Sequence, residues 1–337
     1  MNYTELKKYL ADHKFTWLVT GVAGFIGSNL MESLLSMNQN VIGIDNFATG
    51  YKDNIEGVLR AISPQYVKNF TFHEGDICSI AECDKVMKGV DYVLHQAALG
   101  SIPRSINDPI ATNAVNVNGF LNVLTAAKNN KVKRFVYASS SSVYGDSPIL
   151  PKTEVSVGNQ LSPYAVSKYS GELYAKVFSL CYGIETIGLR YFNVFGARQN
   201  PGGAYAAVIP LWIKAMLNKD SVYINGDGET TRDFCYVGNV IQANLLAALT
   251  DNIDAINTVY NIAFGEQITL NKLFETIHSI LNISESYRPK YRDFRAGDIR
   301  YSLADVSKAK IKLNYQPEYS VKGGLSLAID WYASAVP

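Results

Sequence analysis

Thr20-Gly21-Val22-Ala23-Gly24-Phe25-Ile26-Gly27 is preceded by the apolar run Phe15-Thr16-Trp17-Leu18-Val19 and followed by the amphipathic run Ser28-Asn29-Leu30-Met31-Glu32-Ser33-Leu34-Leu35. The order reads as strand, glycine turn, helix. Glycines at 21, 24 and 27 let the backbone turn tightly, approach a pyrophosphate and pack the helix on the strand. The helix N-terminus then offers free N–H groups and a partial positive charge to phosphates. A second apolar run, Val41-Ile42-Gly43-Ile44, ends at Asp45. A carboxylate there accepts from adenine ribose hydroxyls and repels a 2′-phosphate, which favours NAD over NADP.

Further strand-like runs recur with helix-like runs between them: Phe70–Glu74, Val90–His95, Phe135–Ala138, Thr186–Arg190 and Val259–Ile262. The alternation predicts an α/β fold, a doubly wound parallel sheet with helices on both faces. Such sheets bind ligands at the carboxyl ends of their strands. Candidate residues therefore include Asp76 and Ile77, Gln96, Ala97 and Ala98, Ser139 to Ser142, and Tyr191 to Asn193. Downstream, Gly202-Gly203, Asn225-Gly226-Asp227-Gly228 and Arg295-Ala296-Gly297-Asp298 mark turns of a smaller region expected to close on a substrate. A helix over Val240–Leu246 and the strand near Val259 return to the sheet.

Composition narrows the classes. The chain has 337 residues, 47% hydrophobic and 18% charged, which is globular. A formal net charge of +1 with no basic block gives nucleic acid or an acidic membrane surface nothing to bind. Apolar runs are too short for a membrane span. Residues 1–15 read as a short amphipathic helix rather than a signal peptide. The four cysteines form no C-x-x-C pair and the four histidines are scattered. The expectation is reduced thiols, a cytoplasmic location and no metal centre.

Tyr164 and Lys168, four residues apart in Ser162-Pro163-Tyr164-Ala165-Val166-Ser167-Lys168, share one face of a predicted helix. A tyrosine of pKa near ~10 is a poor base at neutral pH. A neighbouring ammonium and a cationic nicotinamide favour its phenolate. The serines at 139–142 stand where a strand end can offer hydroxyls to a sugar beside that tyrosine. Asn116 belongs to a helix able to position backbone or water near the site.

Taken together these motifs resemble the extended short-chain dehydrogenase/reductase family, in its nucleotide-sugar branch. The matching elements are the glycine turn, Asp45-Asn46, Gly75-Asp76-Ile77, His95-Gln96-Ala97-Ala98, Asn116-Val117-Asn118-Gly119, the serine run with Val143-Tyr144-Gly145-Asp146, Tyr164 with Lys168, and Arg190 to Gly196. They span almost the whole chain in family order. The resemblance implies a Rossmann domain (residues 16–190 plus about 235–263) that binds NAD. It also implies a smaller C-terminal α/β UDP-sugar domain (about 191–234 plus 264–337), with residues 1–15 as an added helix. It makes Tyr164 the base, Lys168 its partner and Ser140 the catalytic serine. It extends the cofactor set to Phe25, Ile26, Asn46, Thr49, Gly50, Asp76, Ile77, Gln96, Ala97, Ala98, Asn116, Tyr191 and Val194.

Dehydratases of this family carry an Asp-Glu pair where Ser141 and Ser142 stand, and hydroxyls do not easily replace a carboxyl acid–base pair. The resemblance is thus to UDP-sugar 4-epimerases, which need one base and one retained NAD. Arg232, Arg295 and Asp298 are the expected UDP anchors, Asn193 bridges sugar and phosphate, and Val208 and Tyr223 flank uracil or sugar. The wall set includes Gly100, Ser101, Ser141, Ser142, Gln199 and Ala207. Ser302 stands where a large residue excludes acetamido sugars in UDP-galactose epimerases. UDP-GlcNAc and UDP-GalNAc are therefore the expected pair, serving surface polysaccharide; UDP-glucuronate or UDP-glucose is the alternative, with Arg104 the cation nearby for a uronate. A reading of another class is a non-catalytic NAD-sensing protein. A homodimer is expected through Leu121, Leu124, Leu173 and Val177.

Overall fold

A computed structural model describes residues 1–202, 207–294 and 299–335. Helix α1 (Tyr3–Asp12) opens on a capping box, with the Asn2 side chain accepting from Glu5 N–H and Glu5 returning to Asn2 N–H. Its Leu6 and Leu10, one turn apart, are buried. The helix is pinned by Gln39, whose Nε2 donates to the carbonyls of Leu10, His13 and Met37 at 2.8–3.1 Å. The Gln39 Oε1 accepts from Phe15 N–H and Trp17 Nε1. A fully buried amide is thereby satisfied at both ends.

The main sheet contains β1 (Thr16–Thr20), β2 (Asn40–Asp45), β3 (Phe70–Glu74), β4 (Tyr92–His95), β5 (Arg134–Ser140), β6 (Thr186–Tyr191) and β7 (Thr258–Ile262). All neighbours pair parallel in the order β7-β6-β5-β4-β1-β2-β3. In register, Val19 stands between Gly43 on β2 and Leu94 on β4. β6 is buried along its whole length, as helices on both faces require, whereas β3 at the edge is only partly covered. This is the Rossmann fold, and its strand order reverses between β1 and β4, where such sheets open a ligand crevice.

Helix α2 (Phe25–Ser36) follows the glycine turn directly. Helix α3 (Pro163–Tyr182) starts with the Ser162 side chain accepting from Ala165 N–H and Pro163 in the first turn, and stops at Gly183 with φ +71°. Helix α4 (Val237–Leu249) is buried along most of its length beside β5 and β6. A separate apolar core joins Phe195, Trp212, Phe234, Phe274, Leu325 and Tyr332. It supports three two-stranded pairings: Val194–Phe195 with Cys235–Tyr236, Thr231–Arg232 with Ile268–Thr269, and Tyr223–Asn225 with Lys290–Arg292. No described helix is long and apolar enough to cross a membrane.

Candidate active site

A cavity of about 470 Å³ opens at the carboxyl ends of the strands. Its first wall is the glycine turn. Gly21 has φ +69°, and a Cβ there would lie 2.8 Å from Ala97 N. At Gly27 a Cβ would lie 2.0 Å from the Gly21 carbonyl oxygen, so the helix approaches the strand too closely for any side chain. Gly24, Phe25 and Ile26 complete this wall.

Asp45 closes one end. Its carboxylate accepts from Ala23 N–H at 2.9 Å and Phe47 N–H at 2.8 Å, one bond on each oxygen. Burial raises its pKa, against the lowering by these bonds. Each oxygen keeps a free lone-pair direction, as a ribose diol needs. Asp76 stands beside it just beyond the end of the neighbouring strand, accepting from Cys78 N–H and Asn46 Nδ2 at 2.8 and 3.0 Å. Burial alone would raise the Asp76 pKa, but these bonds outweigh it and the carboxyl sits below its usual range. Asn46, Thr49 and Ile77 line the same end. The glycine cradle and the two acceptor carboxylates fit a dinucleotide without a 2′-phosphate.

The floor rests on a closed triangle of side chains. Tyr191 OH donates to Gln96 Oε1 at 3.1 Å, Asn244 Nδ2 donates to Tyr191 OH at 2.8 Å, and Gln96 Nε2 donates to Asn244 Oδ1 at 3.1 Å. Gln96, Ala97, Ala98, Tyr191 and Val194 all face the cavity. His95 lies behind it, bonded to Thr20 Oγ1 at 2.8 Å and packed between Phe120 and Phe135. Burial, then the Lys168 charge, lower its pKa to about 3, so the ring is neutral.

Ser140, Tyr164 and Lys168 converge on the opposite wall. Helix α3 carries the last two on its inward face, with the Ser140 hydroxyl beside Tyr164. Burial raises the Tyr164 pKa, and of the protein's own groups only the Ser140 hydroxyl opposes it. Lys168 Nζ donates to Ala138 O at 2.9 Å and lies 6.0 Å from the Tyr164 ring centre. Burial lowers its pKa to about 8. The protein by itself therefore does not stabilise a phenolate; a cationic group in the cavity would.

The serine run divides its labour. Ser139 Oγ donates to Glu172 Oε1 at 2.5 Å, and Ser140 Oγ accepts from Ser142 N–H at 3.1 Å. Ser141 and Ser142 lie in the short helical turn Ser141–Tyr144 beside the cavity wall, and the Ser142 Oγ is enclosed without a partner. Behind them, Arg190 and Glu172 form a bidentate pair at 2.9 and 2.7 Å. Arg190 Nη1 also donates to Tyr144 OH and Glu154 O. Burial disfavours the guanidinium charge, but the Glu172 bonds prevail and raise its pKa. The sequence does carry a signal for this pair, because an arginine inside the apolar strand β6 requires a buried acceptor.

Other expected site residues lie outside the cavity wall. Gly50 packs on Ala23, where a Cβ would come within 2.8 Å. Asn116 lies in a π-helical turn, Ala114–Gly119, and works through neighbours. Its Oδ1 accepts from Leu99 N–H at 2.7 Å, and its Nδ2 donates to Leu99 O and Ser167 Oγ at 3.1 Å. It thus joins the cavity lip to α3. Gly100 and Arg104 do line the cavity, and Ser101, at φ +135°, caps Arg104 N–H.

Toward the smaller half, Asn193 has φ +30° and follows the cavity residue Tyr191. Gln199 donates to Val194 O and accepts from Tyr332 OH. Arg232 donates to the carbonyls of Thr231 and Ile299. Ala207 and Val208 open the helix Val208–Leu217. Tyr223 is exposed with the Arg292 guanidinium 4.4 Å above its ring. Ser302 is half-buried, two residues before Ala304, whose N–H donates to the enclosed carboxylate of Asp233. Arg295 and Asp298 lie outside the described residues. Ala48, Val115 and Ala138 also line the wall, apolar positions that carry no chemical signature in the sequence.

The NAD dependent epimerase/dehydratase family profile matches residues 17–263. The UDP-N-acetylglucosamine 4-epimerase of Methanobrevibacter ruminantium M1, solved in complex with UDP-N-acetylmuramic acid, is 40% identical with a TM-score of 0.87, covering 95% of this chain and 99% of that one. The UDP-glucose 4-epimerase of Thermotoga maritima, solved with UDP-glucose, is 33% identical with a TM-score of 0.86, covering 96% and 100%. The UDP-glucuronic acid 4-epimerase of Bacillus cereus, solved with UDP-glucuronic acid and NAD, is 32% identical with a TM-score of 0.84, covering 95% and 99%. Glycine cradle, acceptor carboxylates, Tyr–Lys wall and these likenesses agree: the chain belongs to the NAD dependent epimerase/dehydratase family, and its cofactor is NAD.

Proposed function

We propose that this chain is a UDP-sugar 4-epimerase whose reaction is the interconversion of UDP-GlcNAc and UDP-GalNAc. The observation that carries the reading is the convergence of Ser140, Tyr164 and Lys168 on one cavity wall, with Ser141 and Ser142 in place of carboxylates beside it. Bound NAD supplies the hydride acceptor and donor. Tyr164 takes the proton of the sugar 4′-hydroxyl and later returns it. Lys168, held by Ala138 O, directs its charge toward Tyr164 and the nicotinamide ribose. Ser140 orients Tyr164 and the hydroxyl between them. A 4-keto sugar, anchored by its diphosphate, turns its other face before reduction, which keeps the step intramolecular. The expected anchors are Arg232, Arg295 and Asp298.

Support for an acetamido sugar comes from Ser302. Its small side chain is half-buried, while the adjacent Tyr301 is turned outward, accepting from Arg300 Nε at 3.1 Å and 46% exposed. The larger residue therefore does not fill the position. A ring introduced by Ser302→Tyr is expected to reduce kcat/KM for UDP-GlcNAc roughly 5- to 150-fold, from ~1–3 kcal/mol of overpacking, and to affect UDP-glucose far less. Equal losses for both would remove Ser302 from the acetamido wall. The reading itself is tested by kcat/KM for UDP-GlcNAc, UDP-glucose and UDP-glucuronate with no NAD added. Preference for UDP-glucuronate would transfer the assignment to the uronate, with Arg104 as the cation in the cavity wall.

A homodimer is part of the proposal. Leu173 and Val177 on α3 are each 50% exposed, and Val166, Leu180 and Ile110 extend the apolar face. Leu124 is not available to such a face, being buried against the sheet with Phe120 and Phe135. Light scattering at micromolar concentration is expected to give twice the 37.1 kDa chain mass, and Leu180→Asp with Val177→Asp the single mass. A wild-type monomer would contradict it.

A further inference from the structure

Tyr191 at the end of β6 and Val194 beyond it line the cavity, and the chain then runs to α2. Gly196 makes the departure at φ +150°, where a Cβ would lie 2.5 Å from Val237 Cγ1. The next residues are tied to the cofactor half on two sides. Asn29 Nδ2 donates to Ala197 O at 2.9 Å, and Arg198 Nη2 donates to Asn29 Oδ1 at 2.9 Å. The same guanidinium pairs with Glu32. Asn200 Nδ2 donates to Tyr51 OH.

These partners are not scattered. Asn29 and Glu32 lie on α2, whose first turn presents Phe25 and Ile26 to the cavity. Tyr51 follows the cavity residue Thr49, and its N–H donates to Ala23 O, inside the glycine turn, at 3.0 Å. Residues 197–200 thus bridge α2, which follows the glycine turn, and the segment after Thr49, which lines the Asp45 end of the groove. The Arg198 side chain is 11% exposed, so its pairing with Glu32 is partly shielded from water and salt.

We propose that residues 197–200 are a clasp that retains the dinucleotide, with the Arg198–Glu32 pair as its latch. Cofactor leaving the groove at this end must part the glycine turn from the segment carrying Tyr191 and Val194, and the latch opposes that movement. Removing it acts on release, since truncating one partner of a partly shielded charge pair appears chiefly in the off-rate. The inference rests on the chain being an NAD protein, not on which sugar it epimerises.

The test is exchange of bound for isotopically labelled NAD in protein purified with its own cofactor, followed by gel filtration at constant salt. Arg198→Met and Glu32→Gln are each expected to speed exchange about tenfold or more, and the double variant no more than the faster single. Tyr51→Phe, which deletes one hydroxyl on a half-exposed side chain, is expected to speed it by a smaller factor. Thermal unfolding of each variant is read in parallel. Wild-type exchange rates in folded Arg198→Met and Tyr51→Phe overturn the clasp, whatever their melting temperatures. Additive effects in the double variant overturn the latch. Slow exchange lost in these variants, with no epimerase activity in the wild type, would uphold the clasp while removing the proposed reaction.

Discussion

Tyr164→Phe is expected to lower kcat by ~10²–10⁴-fold, the usual contribution of a positioned acid–base group, while UDP-sugar affinity stays close to that of the wild type. The change deletes one oxygen and leaves the ring beside Ser140 on the cavity wall. Lys168 keeps its bond to Ala138 O, so the wall is not rebuilt. The wild-type pH dependence follows from the same geometry. Burial raises the Tyr164 pKa and lowers that of Lys168 to about 8. The proton-accepting form of Tyr164 is the phenolate, so kcat is expected to rise with pH on the acid side. Ser140→Ala removes the one protein group that opposes the burial-driven rise in the Tyr164 pKa, and this limb should move to higher pH. Steady-state kinetics and calorimetric titration with UDP-sugar read both effects. A Tyr164→Phe enzyme retaining more than half of wild-type kcat would show that another group moves the proton.

Glu172→Ala is expected to cost ~3–5 kcal/mol of folding stability, because it leaves the Arg190 guanidinium buried without its carboxylate. The two side chains are 3% and 6% exposed, so the guanidinium left behind is far from bulk water. The residual bonds to Tyr144 OH and Glu154 O are to uncharged oxygens. The same carboxylate accepts from Ser139, the residue before Ser140, so loss of the pair also loosens the serine wall. Glu172→Leu combined with Arg190→Met should recover much of the stability, since it buries no charge. Urea unfolding at neutral pH measures both. A cost below ~1 kcal/mol for Glu172→Ala would mean that the pair is solvated in solution.

Much of the Rossmann half was legible in the sequence for a simple reason. Its central strands are apolar runs long enough to be buried on both faces, and turn residues bound each one. The glycine turn is legible because a Cβ at Gly21 or Gly27 collides with backbone, so the residue type reports the close approach. Asp45 and Asp76 are legible as charged residues at strand ends. The smaller half is less so, since its strands are two or three residues long and leave no periodicity to read. Its register instead comes from tertiary contacts such as Asp233, which accepts from Gly265 and Ala304 N–H. Burial lifts the Asp233 pKa to about 7 despite those bonds. Glu172 escaped notice because a glutamate on a helix is ordinarily solvated, and only its partner on β6 reveals the inward face. Leu124 was assigned to an outer face although it lies inward, because Leu121 and Leu124, three apart, share a face only approximately.

The most direct measurement is the fate of a C4 label. UDP-GlcNAc carrying deuterium at C4 is incubated with the purified protein in ordinary water, with no NAD added, and the UDP-GalNAc formed is analysed by mass and NMR. Conversion with the deuterium kept at C4 is the expected result, because the hydride leaves and returns within one enclosed site while Tyr164 exchanges only the hydroxyl proton. Absence of UDP-GalNAc, or a product with hydrogen from solvent at C4, would contradict epimerisation of this sugar through a retained cofactor.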